Sequence, residues 1–186
     1  MTLHCPLPLS LPRSAMPTSP AHLSRLDLEL RRLLAERPVA VLGTLDEHGA
    51  PFVSMVPFAV EPASGALVLH VSALAVHTRQ MQAEPRVSLL VMGADDWAES
   101  PQALPRVTIA ARAEFTPRDS AAERPLRAAY LARHPQAELM TQLPDFTFVR
   151  LVPISARHVA GFGAARSVAP DDLARVLAGI AAVPPM

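Results

Sequence analysis

The chain has 186 residues, half of them hydrophobic, which is enough for one domain with a substantial core. Its 17 basic and 17 acidic side chains give a formal net charge of zero. The composition therefore shows no excess of positive charge that would favour binding to duplex nucleic acid or to an anionic membrane surface. No apolar run approaches the ~20 residues that span a bilayer. We therefore expect partners that include neither nucleic acid nor membrane.

The only cysteine, Cys5, leaves no intrachain disulfide and no CxxC pair for zinc or redox chemistry, so we expect a cytoplasmic protein. Residues 1–18 are apolar, contain four prolines and have no basic stretch before the apolar part. This pattern predicts a disordered leader rather than a signal peptide, with Met16 as a second possible start. Residues 19–186 are predicted to form one domain.

Ser19 and Pro20 have the residue types of an N-cap and a first helical position, and leucines at helical spacing follow until Pro38. Short apolar runs bounded by turn residues then predict strands, with a tight turn at 46–49 in which Gly49 suits a positive φ. The predicted strands are Val39–Leu45, Pro51–Val60, Ala66–Val71, Arg86–Met92, Arg106–Phe115, Asp145–Val152 and Arg157–Phe162.

Helical segments are expected at the edges of these strands. They are a short helix or loop over 73–84, a region from Thr116 to about His134 that Pro125 breaks or kinks, and a terminal helix over Asp171–Ala181. The strands do not alternate regularly with helices, and no GxGxxG is present. The pattern favours a mainly β, α+β fold, with a closed or nearly closed barrel, over a doubly wound parallel sheet.

The segment 72–79 combines several groups that bind phosphate. Ser72, His77, Thr78 and Arg79 follow a predicted strand and enter a predicted short helix. Hydroxyls, an imidazole, an arginine fork and the free N–H groups of a helix start together make a phosphate cradle, such as a mononucleotide requires. A solvated loop with Arg79 on the surface is the alternative.

A second cluster lies on the second predicted strand and comprises Ser54, Met55, Val56 and Pro57. Extended backbone offers N–H and C=O groups against which a flat heterocycle can lie, and Pro57 indicates that the ladder is interrupted there. An ordinary core strand is the alternative. The seven histidines show no HxxxH or HExxH spacing, and no metal site is predicted.

Four segments, in this order, resemble the pyridoxamine 5'-phosphate oxidase-like FMN-binding split barrels, and among these the branch of the haem-utilisation proteins. They are GTLDEHGAPFVSMVPFAV (43–60), LVLHVSALAVHTRQMQAEPRVSLLV (67–91), PRVTIAARAEFTPRD (105–119), and QLPDFTFVRLVP with HVAGFGAARSV (142–153 and 158–168). The resemblance implies a six-stranded split β-barrel with peripheral helices, which forms a homodimer with two FMN molecules at its interface.

The resemblance also assigns roles by position. It places the segment from Ser54 to Pro57 along the isoalloxazine ring. It implies that Ser72, His77, Thr78 and Arg79 hold the phosphate and ribityl chain, and that Arg106 reaches the flavin or the phosphate.

Two departures from the family pattern limit what can be carried over. Val76 and His77 stand where the oxidases carry an Arg-Lys pair, which argues against vitamin B6 oxidation. The haem-utilisation proteins ligate haem through a histidine in a C-terminal tail, whereas the tail after Leu173 contains none. The prediction is an FMN-dependent oxidoreductase acting on a small molecule. A haem-binding or haem-degrading protein and a non-catalytic flavin-binding protein are the alternatives, and deazaflavin is an alternative cofactor.

Overall fold

The computed structural model describes residues 23–94, 100–178 and 180. Within them, the helices are α1 (Arg25–Glu36), α2 (Val76–Ala83), α3 (Glu123–Arg133) and α4 (Pro170–Ala178). The strands are β1 (Val39–Leu45), β2 (Pro51–Pro57), β3 (Ala59–Glu61), β4 (Ala66–Ser72), β5 (Arg86–Met92), β6 (Arg106–Phe115), β7 (Phe146–Val159) and β8 (Ala165–Val168). None of the described helices is long and apolar enough to cross a membrane.

The described strands form one antiparallel sheet in the order β2-β1-β5-β6-β7-β4-β3, with β8 added beside β7. β2 and β3 are two halves of one chain segment, separated by Phe58. The first half pairs with β1 and the second half pairs with β4, at opposite ends of the strand order. This segment therefore joins the two ends of the sheet and closes it into a split barrel, as the sequence predicted.

The described strands number eight, against the seven predicted from local patterns and the six implied by the resemblance, and two predictions differ from the structure. The predicted strand Pro51–Val60 is broken at Phe58, where the chain changes partners, although the interruption expected at Pro57 is confirmed. The predicted pair Asp145–Val152 and Arg157–Phe162 is wrong, because β7 runs through both as one strand. The register shifts between Ala110, which pairs with Ser155, and Ala111, which pairs with Pro153, so Ile154 is the extra residue of a bulge in β7. The second partner of that predicted pair is replaced by β8.

The first helix begins at Arg25 rather than directly after Ser19, which lies with Pro20 outside the described residues. Ser24 caps this helix. Its hydroxyl oxygen accepts from the Asp27 N–H at 3.2 Å, and its own N–H donates to the Asp27 carboxylate at 3.1 Å. The leader predicted for residues 1–18 also lies outside the described residues.

The prediction of a helical region starting at Thr116 and broken at Pro125 is wrong. Helix α3 begins only at Glu123, so Pro125 falls in its first turn, where a missing N–H breaks no helical hydrogen bond. Over 73–84 the helix is the correct alternative, as α2. The terminal helix ends at Ala178 among the described residues, and Gly49 has the expected positive φ of 79°.

Phe58 connects the barrel to two helices. It is fully buried, its N–H donates to the Pro38 carbonyl at 3.1 Å, and its carbonyl accepts from His134 Nε2 at 2.9 Å. The Arg133 guanidinium lies 5.0 Å from the centre of its ring. The same guanidinium donates to three carbonyl groups at the end of α1, those of Leu34, Ala35 and Arg37. Arg133 thus acts as the C-terminal cap of α1.

His70 belongs to an aromatic cluster between β4, β7 and α3. Its ring centre lies 4.5 Å from that of Phe148, 4.9 Å from that of Phe146 and 5.7 Å from that of Tyr130. Burial lowers the pKa of His70 to about 4, with a further contribution from the positive charge of Arg127. The imidazole is therefore neutral at pH 7 and packs as an aromatic ring.

We predict that Arg133→Met lowers the free energy of unfolding by ~2–3 kcal/mol, because buried carbonyl groups at the end of α1 lose their donor. Urea denaturation followed by circular dichroism measures the change. Arg124→Met is the matched control, since Arg124 is exposed on the same helix and its replacement should change stability by less than ~0.5 kcal/mol. Equal denaturation midpoints for the two variants would contradict the capping role of Arg133.

A second prediction concerns acid stability. Between the unfolded pKa of 6.5 and the folded pKa of about 4, the unfolded chain binds more protons at His70 than the folded chain does. Stability from this group is therefore present above pH 6.5 and is lost as the pH falls towards 4. The Tm of the unmodified protein should fall between pH 7.5 and pH 5. We expect this fall to be several degrees smaller in His70→Phe. His48→Phe, in an exposed turn, is the control, and the same fall in both variants would sink the prediction.

Candidate functional site

The candidate site is formed by the start of α2 and the strand β2 at the edge of the ladder. Helix α2 is anchored to the sheet by its buried residues Thr78 and Met81, and by Gln80, whose side-chain oxygen accepts from Thr44 Oγ1 at 2.5 Å. Thr44 pairs directly with Phe52 of β2. The polar first turn of α2 therefore lies beside the middle of β2.

This arrangement brings together the two clusters that the sequence singled out separately. Ser54 Oγ of β2 and His77 Nδ1 of α2 lie 3.1 Å apart. Burial lowers the pKa of His77, so its imidazole is neutral at pH 7. When Nδ1 carries the proton and donates it to Ser54, the lone pair of Nε2 is left to accept a proton or bind a metal ion.

The hydroxyl groups of Ser72 and Thr78 already serve as donors within the chain. Thr78 Oγ1 donates to the Ser72 carbonyl at 2.7 Å, and the Thr78 side chain is almost completely buried. Ser72 Oγ donates to Asp145 Oδ2 at 2.7 Å. A hydroxyl has one proton to donate, so in this arrangement neither group donates to a phosphate. Together they attach the start of α2 to β4 and to the residue that precedes β7.

Asp145 is a residue of this site that the spacing of the sequence did not reveal. Its carboxylate holds Ser72, and its carbonyl accepts from the Ala73 N–H at 2.7 Å. The two partners are 73 positions apart, and no local pattern links them. The segment 142–153 that carries the family resemblance was the only signal for it.

The Arg79 side chain is exposed on α2 and makes no hydrogen bond or ion pair with other described residues. The N–H groups of Val76 and His77 at the start of α2 have no backbone acceptor among the described residues, whereas those of Thr78 and Arg79 donate to the Ala75 carbonyl. Arg79 and the helix start are therefore the components of the predicted phosphate cradle that still have donors to offer.

The predicted ring-binding strand is mostly accessible. Among the described strands β2 pairs only with β1, so its other backbone edge is open. Met55 is 65% exposed and Pro57 is exposed, whereas the Val56 side chain lies in the core. A flat ligand can meet the backbone of this strand and the Met55 side chain, but not the side chain of Val56.

Arg106 lies apart from this cluster in a single chain. It begins β6 opposite Met92, and its guanidinium donates to the carbonyl groups of Gln102 and Leu104 at 3.2 and 3.0 Å. Arg112, six residues further along β6, pairs with Arg86 just after α2, so Arg106 lies about 20 Å away along the strand. In one chain the Arg106 guanidinium bonds to these two carbonyl groups rather than to the Ser54–His77 cluster, and its role at the cofactor stays a prediction.

The sequence model of the pyridoxamine 5'-phosphate oxidase family matches residues 26–160, which is well over half of the chain. The chain belongs to this family. The match agrees with the resemblance carried by the four sequence segments. Among the described residues of this family member, no group of three or more His, Cys, Asp or Glu side chains is arranged to hold a metal ion.

Three proteins that are similar to this chain have names that refer to heme. The chain is 35% identical over 150 residues to heme oxygenase HutZ of Vibrio cholerae, covering 80% of this chain and 84% of the relative. It is 37% identical over 142 residues to the chloroplastic non-canonical heme oxygenase HOZ of Arabidopsis thaliana, covering 74% of this chain but 41% of the relative. The structure of a heme binding protein from Mycobacterium smegmatis superposes with a TM-score of 0.71 at 32% identity, covering 83% of this chain and 62% of that one.

Proposed function

We propose that this protein binds haem and degrades it, the alternative raised by the sequence, rather than acting as the FMN-dependent oxidoreductase predicted first. Two relatives above 30% identity are named heme oxygenases, and a structural relative at 32% identity is named a heme binding protein. The observation that carries the proposal for this chain is the half-buried, neutral imidazole of His77, held through Nδ1 by Ser54.

The surroundings of His77 suit a large apolar ring. Leu74 is 78% exposed just before α2, and Val76 is 43% exposed in its first turn. Phe52 shares the face of β2 with Ser54, because alternate residues of a strand face the same side, and it is 38% exposed. Arg79 lies one turn after Val76 and offers a cation for a carboxylate. His77 would bind the iron and these residues would contact the macrocycle, which when bound supplies the oxygen chemistry.

A flavin fits the same residues less well. An FMN phosphate requires several donors, and the hydroxyl protons of Ser72 and Thr78 are committed to Asp145 and to the Ser72 carbonyl. Haem needs no such cradle, since iron ligation and apolar contact contribute most of its binding. The two hydroxyl groups thus favour haem over a phosphate-bearing cofactor.

The proposal includes a homodimer with the cofactor at its interface. β2 is an edge strand, and Val53 and Met55, on one of its faces, are 67% and 65% exposed. Apolar side chains on an unpaired strand edge favour coverage by another chain. The second chain would also be the source of Arg106, which one chain keeps away from α2.

Titration of the purified protein with haemin tests the main proposal. We expect a saturable, sharp Soret band, and we expect His77→Ala to weaken haemin binding at least tenfold because the iron loses its imidazole. His48→Ala is the matched control, since His48 is exposed in the 46–49 turn, and it should bind like the unmodified protein. A titration indifferent to His77→Ala would contradict the assigned ligand, and uptake that never saturates would contradict haem binding itself.

Degradation is tested on the haem-loaded protein with ascorbate and oxygen. Loss of the Soret band with release of iron to a chelator supports haem degradation. A Soret band that persists under these conditions would restrict the function to haem binding.

FMN remains a second candidate because of Arg79 and the helix start beside it. If FMN binds there, Arg79→Ala should weaken its affinity by ~1.5–3 kcal/mol, the size of a charge-assisted phosphate contact. The control is Arg25→Ala, which removes only a surface ion pair with Glu29. Fluorescence quenching of FMN measures both affinities. Equal values, or a protein that takes up no FMN, would remove the flavin candidate.

A further inference from the structure

His158 is a buried histidine that the proposed haem site does not use. It lies near the end of β7, between Val107 of β6 and Arg166 of β8, and is 1% exposed. Neither Nδ1 nor Nε2 has a hydrogen-bond partner in the described part of the chain. A neutral imidazole has one N–H donor and one acceptor, and burying both unpaired is unfavourable. The side chain has the chemistry of a ligand-binding group.

His158 forms part of the wall of a cleft of about 380 Å³. One wall is α1 with the residue that follows it, and the other is built from the ends of β5 and β7 and the residues before β6. A cavity of this size accommodates a small organic molecule. The cleft lies at the opposite end of β7 from Phe146, which pairs with Ser72 beside the candidate haem site.

Arg37 is the only charged side chain in the described lining of the cleft that has no ion pair. Arg32 pairs with Glu36 at 2.6 Å, and Glu29 pairs with Arg25 at 2.9 Å. Arg37 has no ion pair with another described residue, and its Nε is buried without a hydrogen-bond partner. One spare guanidinium and one imidazole N–H suit a singly charged anion that accepts hydrogen bonds.

The remainder of the lining is apolar. Leu33 of α1 lines the cleft together with Leu104, Pro105 and Ala160. A phosphate would leave these apolar surfaces exposed to water. It would also bring more negative charge than the single unpaired guanidinium balances. A carboxylate with a small hydrocarbon body matches both parts of the cleft.

We propose that this cleft binds a small monocarboxylic acid, with its carboxylate between Arg37 and His158 and its hydrocarbon body against Leu33 and Leu104. The proposal is independent of haem or flavin binding, because it uses none of the residues at the start of α2. The loss of haem binding would leave it unchanged.

Benzoate is the probe, and isothermal titration calorimetry of the full chain measures its binding. We expect saturable binding that weakens at least tenfold in Arg37→Met and in His158→Phe. Benzamide, which has the same ring without the charge, should bind at least tenfold more weakly than benzoate. Arg124→Met is the control, at an exposed arginine of α3 that does not line the cleft, and should bind benzoate unchanged.

A second readout covers the case in which His158→Phe does not fold. The ring ¹⁵N resonances of His158 in the unmodified protein should move on addition of benzoate and should move less in Arg37→Met at the same concentration. Absence of saturable benzoate binding would overturn the proposal. Binding that is equal in Arg37→Met and Arg124→Met, with His158 resonances that do not move, would also overturn it.

Discussion

Closure of the barrel depends on Phe58, the residue at which the chain passes from pairing with β1 to pairing with β4. Strand 51–61 must pair with β1 in its first half and with β4 in its second, so Phe58 between them cannot bond to both ladders. Unpaired backbone groups in a buried position are strongly unfavourable. Here the Phe58 N–H reaches Pro38 and its carbonyl receives His134, while Arg133 covers its ring. Closure of the barrel therefore also fixes α1 and α3, since Arg133 holds both Phe58 and the end of α1.

The same closure determines what the candidate site presents. Because the chain changes partners after Pro57, the first half of the segment keeps an open edge beside α2. The position of α2 depends on the hydroxyl groups of Ser72 and Thr78, which bond to Asp145 and to the Ser72 carbonyl. Groups that look like phosphate ligands in the sequence therefore hold the helix in place. Of the residues predicted to hold a phosphate, Arg79 stays exposed, and the half-buried imidazole of His77 contacts Ser54.

Local patterns were sufficient for β1, β5 and β6, whose bounds match the prediction residue by residue, because each is a short apolar run between turn or charged residues. They failed where a distant contact decides the outcome. The break at Phe58 depends on His134, 76 positions away, and the continuous β7 depends on its register with β6. Side-chain chemistry and the family resemblance were enough to select the site residues. They could not predict that Ser54 contacts His77, because the two residues lie 23 positions apart on different elements.

The buried histidines of this chain show how one residue type is used in different ways. Burial lowers the pKa of His70, His77, His134 and His158 alike, so all four are neutral at pH 7. Hydrogen bonding separates them. His134 donates to a carbonyl, His77 is held by a serine and His70 packs among aromatic rings. His158 has no partner in the described residues, although it lines a cleft together with Arg37, whose Nε is also unpartnered. Arg133 bonds to the backbone carbonyl of Arg37 and not to its side chain, and a carboxylate in the cleft would give Arg37 and His158 a common acceptor.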